Sequence, residues 1–192
     1  QGMFLRGSTL VYRIGDEEKE LMDASEIRIP GAHNLENAML CALLCLSQGI
    51  APETIVSVLK TFAGVEHRIE YVCTRGGVDY INDSKGTNPD AAIKGIQAMD
   101  RPTLLIGGGY DKQSDYTEWI EAFDGKVKKL VLLGQTKEKI ARDAEKCGFC
   151  DYVFADTFEE AVMMAVEIAK PGEAVLLSPA CASFDMFKSY EH

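Results

Sequence analysis

Residues 129–146 read KLVLLGQTKEKIARDAEK. Four consecutive apolar residues, Leu130 to Leu133, stop at Gly134, and a helical pattern follows over 136–146. An uninterrupted apolar strand needs cover on both faces, which is the situation of a strand in a parallel sheet flanked by helices. Leu104-Leu105-Ile106 and Ala174-Val175-Leu176-Leu177 repeat the signal. Around these three runs the pattern predicts strands at about 69–74, 78–82, 103–106, 129–133, 151–154 and 174–177. It predicts helices at about 89–99, 116–123, 136–146, 157–169 and from 185 onward. Asn88-Pro89 supplies a cap and a first helical residue, and Asp156 with Glu159 is expected to form a capping box. Strand–helix alternation of this kind specifies an α/β, doubly wound Rossmann-like domain over 67–192 with a mostly parallel sheet.

Residues 1–66 read differently, as a partial α/β segment of another domain. A hairpin is expected over 3–14 with its turn at Arg6-Gly7-Ser8, then a polar stretch with weak strand signals to Ile29. Leu35, Ala38, Met39, Ala42, Leu43 and Leu46 follow helical spacing, and Gln48-Gly49 ends that helix. Pro52 opens a second helix to about Phe62. The chain starts Gln1-Gly2 with Met3-Phe4-Leu5 already strand-like and stops within an expected helix, so a piece of a longer protein is expected.

Of the 192 residues 46% are hydrophobic, enough for a packed core. Twenty basic against thirty acidic residues give a formal net charge of −10, with no Lys/Arg run, which argues against nucleic acid and anionic membranes as partners. No stretch is long enough to span a bilayer, and no signal-peptide pattern opens the chain. Six cysteines are present. Cys41 and Cys45, one turn apart, read as small core residues. Cys147-Gly148-Phe149-Cys150 has redox-motif spacing, but Cys147 closes a helix instead of opening one, which raises a thiol pKa. No metal-ligand spacing involves His33, His67 or His192. A reducing, cytoplasmic compartment is expected.

Ligands of doubly wound sheets bind outside the carboxyl ends of the strands. Three such ends are conspicuous: Asp83-Ser84-Lys85-Gly86-Thr87, Gly107-Gly108-Gly109-Tyr110-Asp111-Lys112, and Ser178-Pro179-Ala180-Cys181-Ala182-Ser183. Glycine, hydroxyl groups and one lysine in each of the first two suit a small dianion or a phosphate. There is no GxxxxGK[ST] loop, no GxGxxG opening a helix and no evident Ser–His–Asp set, so these residues alone do not grip a nucleotide γ-phosphate.

Five segments carry a resemblance: Gly31 to Asn37 (GAHNLEN), Glu66 to Glu70 (EHRIE), Asn82 to Asn88 (NDSKGTN), Gly108 to Lys112 (GGYDK) and Ser178 to Lys188 (SPACASFDMFK). In these the chain resembles the Mur ligase family, and the third and fifth are similar to its D-glutamate-adding members. The resemblance implies that 1–66 is the C-terminal portion of a central ATPase domain and 67–192 a C-terminal domain for amino acid and nucleotide. It implies ATP-dependent joining of D-glutamate to UDP-N-acetylmuramoyl-L-alanine through an acyl phosphate, in peptidoglycan precursor synthesis. ATP/ADP and Mg2+ are the implied cofactors, their phosphate and metal ligands mostly outside this chain. A piece lacking them is expected to be inactive alone, and the full-length form to be monomeric. Asn34, Asn37, Arg68, Asp83 and Lys85 are implied for the nucleotide, Asp83 through ribose hydroxyls. Thr87, Lys112, Ser183, the Phe184 backbone and Tyr190 are implied for D-glutamate. These are roles of binding and orientation, with no catalytic acid, base or metal ligand identified.

Taken without the resemblance, Asn34 and Ser183 read as helix caps, Arg68 as a brace for the linker and His67 as a hinge or packing residue. Gly86, where the family often carries Ala, is expected to loosen its loop. Two rivals share the pattern: another amino-acid-adding ligase, such as a folylpolyglutamate synthase or a different Mur ligase, and a non-enzymatic small-molecule-binding module.

Overall fold

A computed structural model describes residues 2–189. Contacts divide the chain into two compact units, Gln1–Gly64 and Val65–His192. In the first, β1 (Gly2–Arg6), β2 (Thr9–Ile14) and β3 (Glu17–Asp23) form an antiparallel sheet in sequential order. Helices α1 (Ala32–Ser47) and α2 (Pro52–Thr61) pack with Tyr12 around Ala42, Leu46 and Ile55. The buried stripe of α1 runs Ala38, Ala42, Leu46. That spacing turns Cys41 outward, so its expected place in the core is corrected, and Cys45 only flanks the cluster. Asn34 is not the N-cap either: Gly31 holds that position, and the Asn34 amide donates to the Pro30 carbonyl at 2.6 Å.

The second unit is a six-stranded sheet in the order β4-β5-β9-β6-β7-β8. The strands are β4 (Glu70–Arg75), β5 (Val78–Asn82), β6 (Thr103–Gly108), β7 (Val127–Leu133), β8 (Tyr152–Phe154) and β9 (Ala174–Leu177). Only β4 is antiparallel to its neighbour; the remaining pairs are parallel. Helices α3 (Pro89–Gln97), α4 (Thr117–Glu121), α5 (Lys137–Lys146) and α6 (Phe158–Ile168) follow β5, β6, β7 and β8. Alternate residues of the apolar strands feed two cores. Leu105, Leu130, Leu132 and Leu176 join α3, α4 and α5 around Trp119, while Leu104, Ile106, Val131, Leu133 and Val175 join α6. Each buried Leu or Ile stabilises by roughly 1.5–3 kcal/mol, so covering both faces is what holds β6, β7 and β9 in the sheet centre.

Asn88 caps α3 by accepting from the Ala91 N–H at 2.9 Å. The capping box of α6 lies one residue later than the spacing suggests. Thr157 accepts from the Glu160 N–H, and the Glu160 carboxylate accepts from the Asp156 N–H. The helix expected from 185 onward is corrected within the described residues to one turn, closed by the Met186 and Phe187 N–H groups on the Ser183 carbonyl. Cys147 does close α5, with Gly148 at φ +80° behind it, and burial first, then Glu121 and Asp143, pushes its thiol up. All six cysteines are free thiols. No helix of the described residues is long and apolar enough to cross a membrane.

Candidate active site

The position of β9 determines the site. The chain passes from β5 to β6 through α3 and leaves a gap, which β9 fills with parallel pairing to both. The loop leaving β9 is thereby laced to its neighbours on either side. Ala180 N–H donates to the Gly86 carbonyl at 2.8 Å, Gly108 N–H to the Pro179 carbonyl at 2.9 Å, and Tyr110 N–H to the Ala182 carbonyl at 2.7 Å. The three polar strand exits form one contiguous edge, at the end of the sheet where such folds bind ligands.

A cavity of about 300 Å3 opens along that edge. Asn82, Ser84 and Thr87 line it from the β5 exit, Gly108 from β6, and Pro179, Cys181 and Ser183 from the β9 exit. Leu133, Phe158, Leu177, Met186 and Phe187 make its apolar wall, in which the Phe158 and Phe187 rings meet edge to face, centroids 5.8 Å apart. Lys112 does not itself line the cavity, but its ammonium donates to the carbonyl of Thr87, which does, at 3.3 Å. Thr87 and Ser183, 96 positions apart, line one cavity only because of the β9 insertion.

Asp83 opens the β5 exit. Its side chain is buried, with the residue 3% exposed, Oδ2 accepting from Ser178 Oγ at 2.6 Å and Oδ1 from the Ile69 N–H at 3.2 Å. Desolvation pushes its carboxyl above the ordinary range, against the lowering by Ser178, by the Ile69 N–H and by the Arg68 charge. A carboxylate enclosed in this way ties strand exits together. Gly86 is correspondingly tight instead of loose: a Cβ there would meet Asp83 Oδ2 at 2.7 Å and Ser178 Oγ at 2.8 Å.

Lys85 is exposed, and its N–H donates to the His67 carbonyl at 3.0 Å. His67 packs into this segment: its N–H donates to Glu70 at 2.8 Å, and its ring Nδ1 lies 3.0 Å from the Asn82 amide. Arg68 is exposed beside Asp83. Phe184 is 65% exposed, next to Ser183 in the single turn. Asn34 and Asn37 lie on α1 in the other unit. Tyr190 lies outside the described residues. Sequence reasoning missed the apolar wall and the β7 exit at Gly134–Thr136. The rule that ligand sites gather at strand exits points to that turn, but it carries no lysine and no glycine cluster to mark it.

Among the described residues no group of three His, Cys, Asp or Glu is arranged to hold a metal ion. The cavity is lined by the hydroxyl residues Ser84, Thr87, Ser183 and Ser189 together with His67 and Asn82, with the Lys112 ammonium bonded to Thr87 beside it.

Residues 67–181 match the family described as Mur ligase, glutamate ligase domain. The UDP-N-acetylmuramoylalanine–D-glutamate ligase of Lachnoclostridium phytofermentans is 52% identical over 191 residues, a match covering 100% of this chain and 42% of that protein. The UDP-N-acetylmuramate–alanine ligase of Thermotoga maritima shares the fold at 18% identity, with a TM-score of 0.65 over 90% of this chain and 40% of that one. The folylpolyglutamate synthase of the same organism does so with a TM-score of 0.61 over 90% and 41%. The chain therefore spans about two fifths of the length of the proteins it matches.

Proposed function

This chain belongs to the Mur ligase family, and we propose that it is the C-terminal part of an ATP-dependent ligase that joins D-glutamate to UDP-N-acetylmuramoyl-L-alanine. Its 42% share of a 52% identical relative of that name supports the reading. The observation that carries it is the meeting of Lys112 with Thr87 at one side of a cavity that Ser183 also lines.

D-glutamate brings two carboxylates and one reactive amine. In the proposed complex Lys112 neutralises a carboxylate, while the Thr87 and Ser183 hydroxyls and the Phe184 backbone donate to the remaining oxygens. Charge-assisted bonds of this kind are about twice as strong as neutral ones. Their function is to hold the amine at an activated carboxyl carbon, where orientation can remove roughly 7–11 kcal/mol of barrier. ATP supplies that activation as an acyl phosphate. The neutral amine's lone pair would form the C–N bond, the C–O bond to phosphate would break, inorganic phosphate would leave, and the surplus amine proton would pass to the departing phosphate or to water. No side chain of this chain is assigned a proton transfer. Arg68 and Lys85 are proposed for nucleotide phosphates on the basis of charge, and Asn34 and Asn37 for adenine on the basis of the resemblance. A divalent ion finds no ligand cluster among the described residues, and no step is assigned to one here.

Because a folylpolyglutamate synthase and a Mur ligase share this fold, the amino acid decides between them. The test is an amino-acid screen with the full-length protein, ATP and UDP-N-acetylmuramoyl-L-alanine. D-Glutamate-dependent phosphate release, absent with L-glutamate, supports the proposal. Release only with another amino acid, or only with a folate acceptor, overturns it.

A further inference from the structure

Thr136 occupies the N-cap position of α5, yet its hydroxyl makes no cap bond. A capping Ser or Thr ordinarily contributes about 1 kcal/mol to its helix. Here Oγ1 instead accepts the Gly109 N–H at 3.0 Å, and the Thr136 N–H donates back to the Gly109 carbonyl at 3.1 Å. Thr136 is fully buried, and its Oγ1 also lies 3.4 Å from Cys181 Sγ. One residue earlier, the Gln135 N–H donates to Asp185 Oδ2 at 2.9 Å. The β7 exit thus grips two loops at once: the one that carries Lys112, three residues after Gly109, and the one that carries Ser183, between Cys181 and Asp185.

Neither Thr136 nor Asp185 lines the cavity. The turn is also closely fitted, because a Cβ on Gly134 would meet Asp185 Oδ2 at 2.5 Å and Gly109 Cα at 2.7 Å. From the body of α5, Lys139 adds an ion pair to Asp111 at 3.2 Å, on the residue preceding Lys112. A helix cap given up for a bond to another loop is stability diverted to holding that loop. We propose that Thr136, supported by Asp185, is a positioning residue that sets the spacing between the Lys112 ammonium and the Ser183 hydroxyl, and so the fit of the acidic amino acid. This inference rests on the D-glutamate reading of the site.

Thr136→Val keeps the branched shape and removes the hydroxyl that accepts from Gly109 and meets Cys181 Sγ. In the full-length ligase it is expected to raise the KM for D-glutamate about ten-fold while the KM for ATP stays within about two-fold; displacements of about 1 Å cost this much or more. Thr136→Ser restores the acceptor and is expected to bring the KM back to within about two-fold of wild type. Asp185→Ala loosens the second loop and is expected to shift the same KM, so the test stands even where the valine variant fails to fold. An unchanged D-glutamate KM in the soluble variants overturns the inference, as does a loss of kcat that tracks thermal instability with no change in KM. A wild-type protein that does not use D-glutamate overturns the functional reading instead, and the two failures are told apart by the wild-type control alone.

Discussion

Ser178 Oγ donates a 2.6 Å hydrogen bond to Asp83 Oδ2, joining the ends of neighbouring strands that stand 95 residues apart in the chain. The same carboxylate accepts the Ile69 N–H, so one buried group fastens β5, β9 and the segment entering β4. Burial sets the sign of its pH dependence. Its folded pKa is raised, so between the unfolded value of about 3.9 and the folded one the native state holds more protons than the unfolded chain. The stabilising contribution of this group is complete below the unfolded value and is lost as pH rises through the folded value.

Asp83→Asn removes that titration and keeps groups able to pair with Ser178 and the Ile69 N–H. Thermal melts of both proteins from about pH 3.5 to 7 are expected to show wild type losing stability relative to the variant as pH rises. Curves that run parallel, or converge in the opposite sense, would count against a buried carboxylate with a raised pKa.

Gly95 lies in the last turn of α3, where alanine is favoured by up to about 1 kcal/mol on propensity. A Cβ there would meet Asp83 Oδ2 at 2.6 Å and Ser178 Oγ at 3.0 Å. Overpacking costs about 1–3 kcal/mol, and disturbing the Asp83 bonds adds to it. Gly95→Ala is therefore expected to destabilise by about 1–2 kcal/mol net in denaturant melts. A stabilised variant would show that propensity wins and that the buried pair can move.

Gly108 sits at φ +112° where β6 ends, and its Cβ would lie 2.1 Å from the Leu133 carbonyl oxygen. Backbone strain and a clash with main chain act together, so Gly108→Ala is expected to cost about 3 kcal/mol or more. The cavity wall should be lost with it. Soluble, stable Gly108→Ala protein with a wild-type melting temperature would contradict the close approach of β6 to β7 at that point.

The proposed function gives Lys112 to the amino acid instead of the nucleotide. In the full-length ligase, Lys112→Ala is expected to raise the D-glutamate KM at least about ten-fold, the loss of one charge-assisted bond of about 1.5–3 kcal/mol, with the ATP KM little changed. Steady-state kinetics with each substrate varied in turn measure this split, and the reverse pattern would move Lys112 to the nucleotide.

Much of this molecule is legible in its residues one element at a time. Leu130 to Leu133 announce a strand covered on both faces, Asn88-Pro89 a helix start, and Gly148 a helix end; each is decided by forces acting within a few residues. The lysines, hydroxyls and glycines at the strand exits mark the loops worth inspecting for the same local reason. The capping box of α6 shows the limit, since Thr157 and Asp156 compete for one role and only the path of the chain into the helix selects Thr157.

Strand order is not written locally. β6, β7 and β9 all carry apolar runs, and no periodicity states that the last of them enters between β5 and β6. That pairing is settled by which arrangement buries both faces of every central strand at once, a property of the whole sheet. It brings Ser178 to Asp83 as a buried tie between strand exits, and sets Ser183 on the same cavity as Thr87. The residue types of the site were fixed by the sequence alone, whereas their convergence, and the turn at Thr136 that spaces them, exist only because distant segments meet when the core closes.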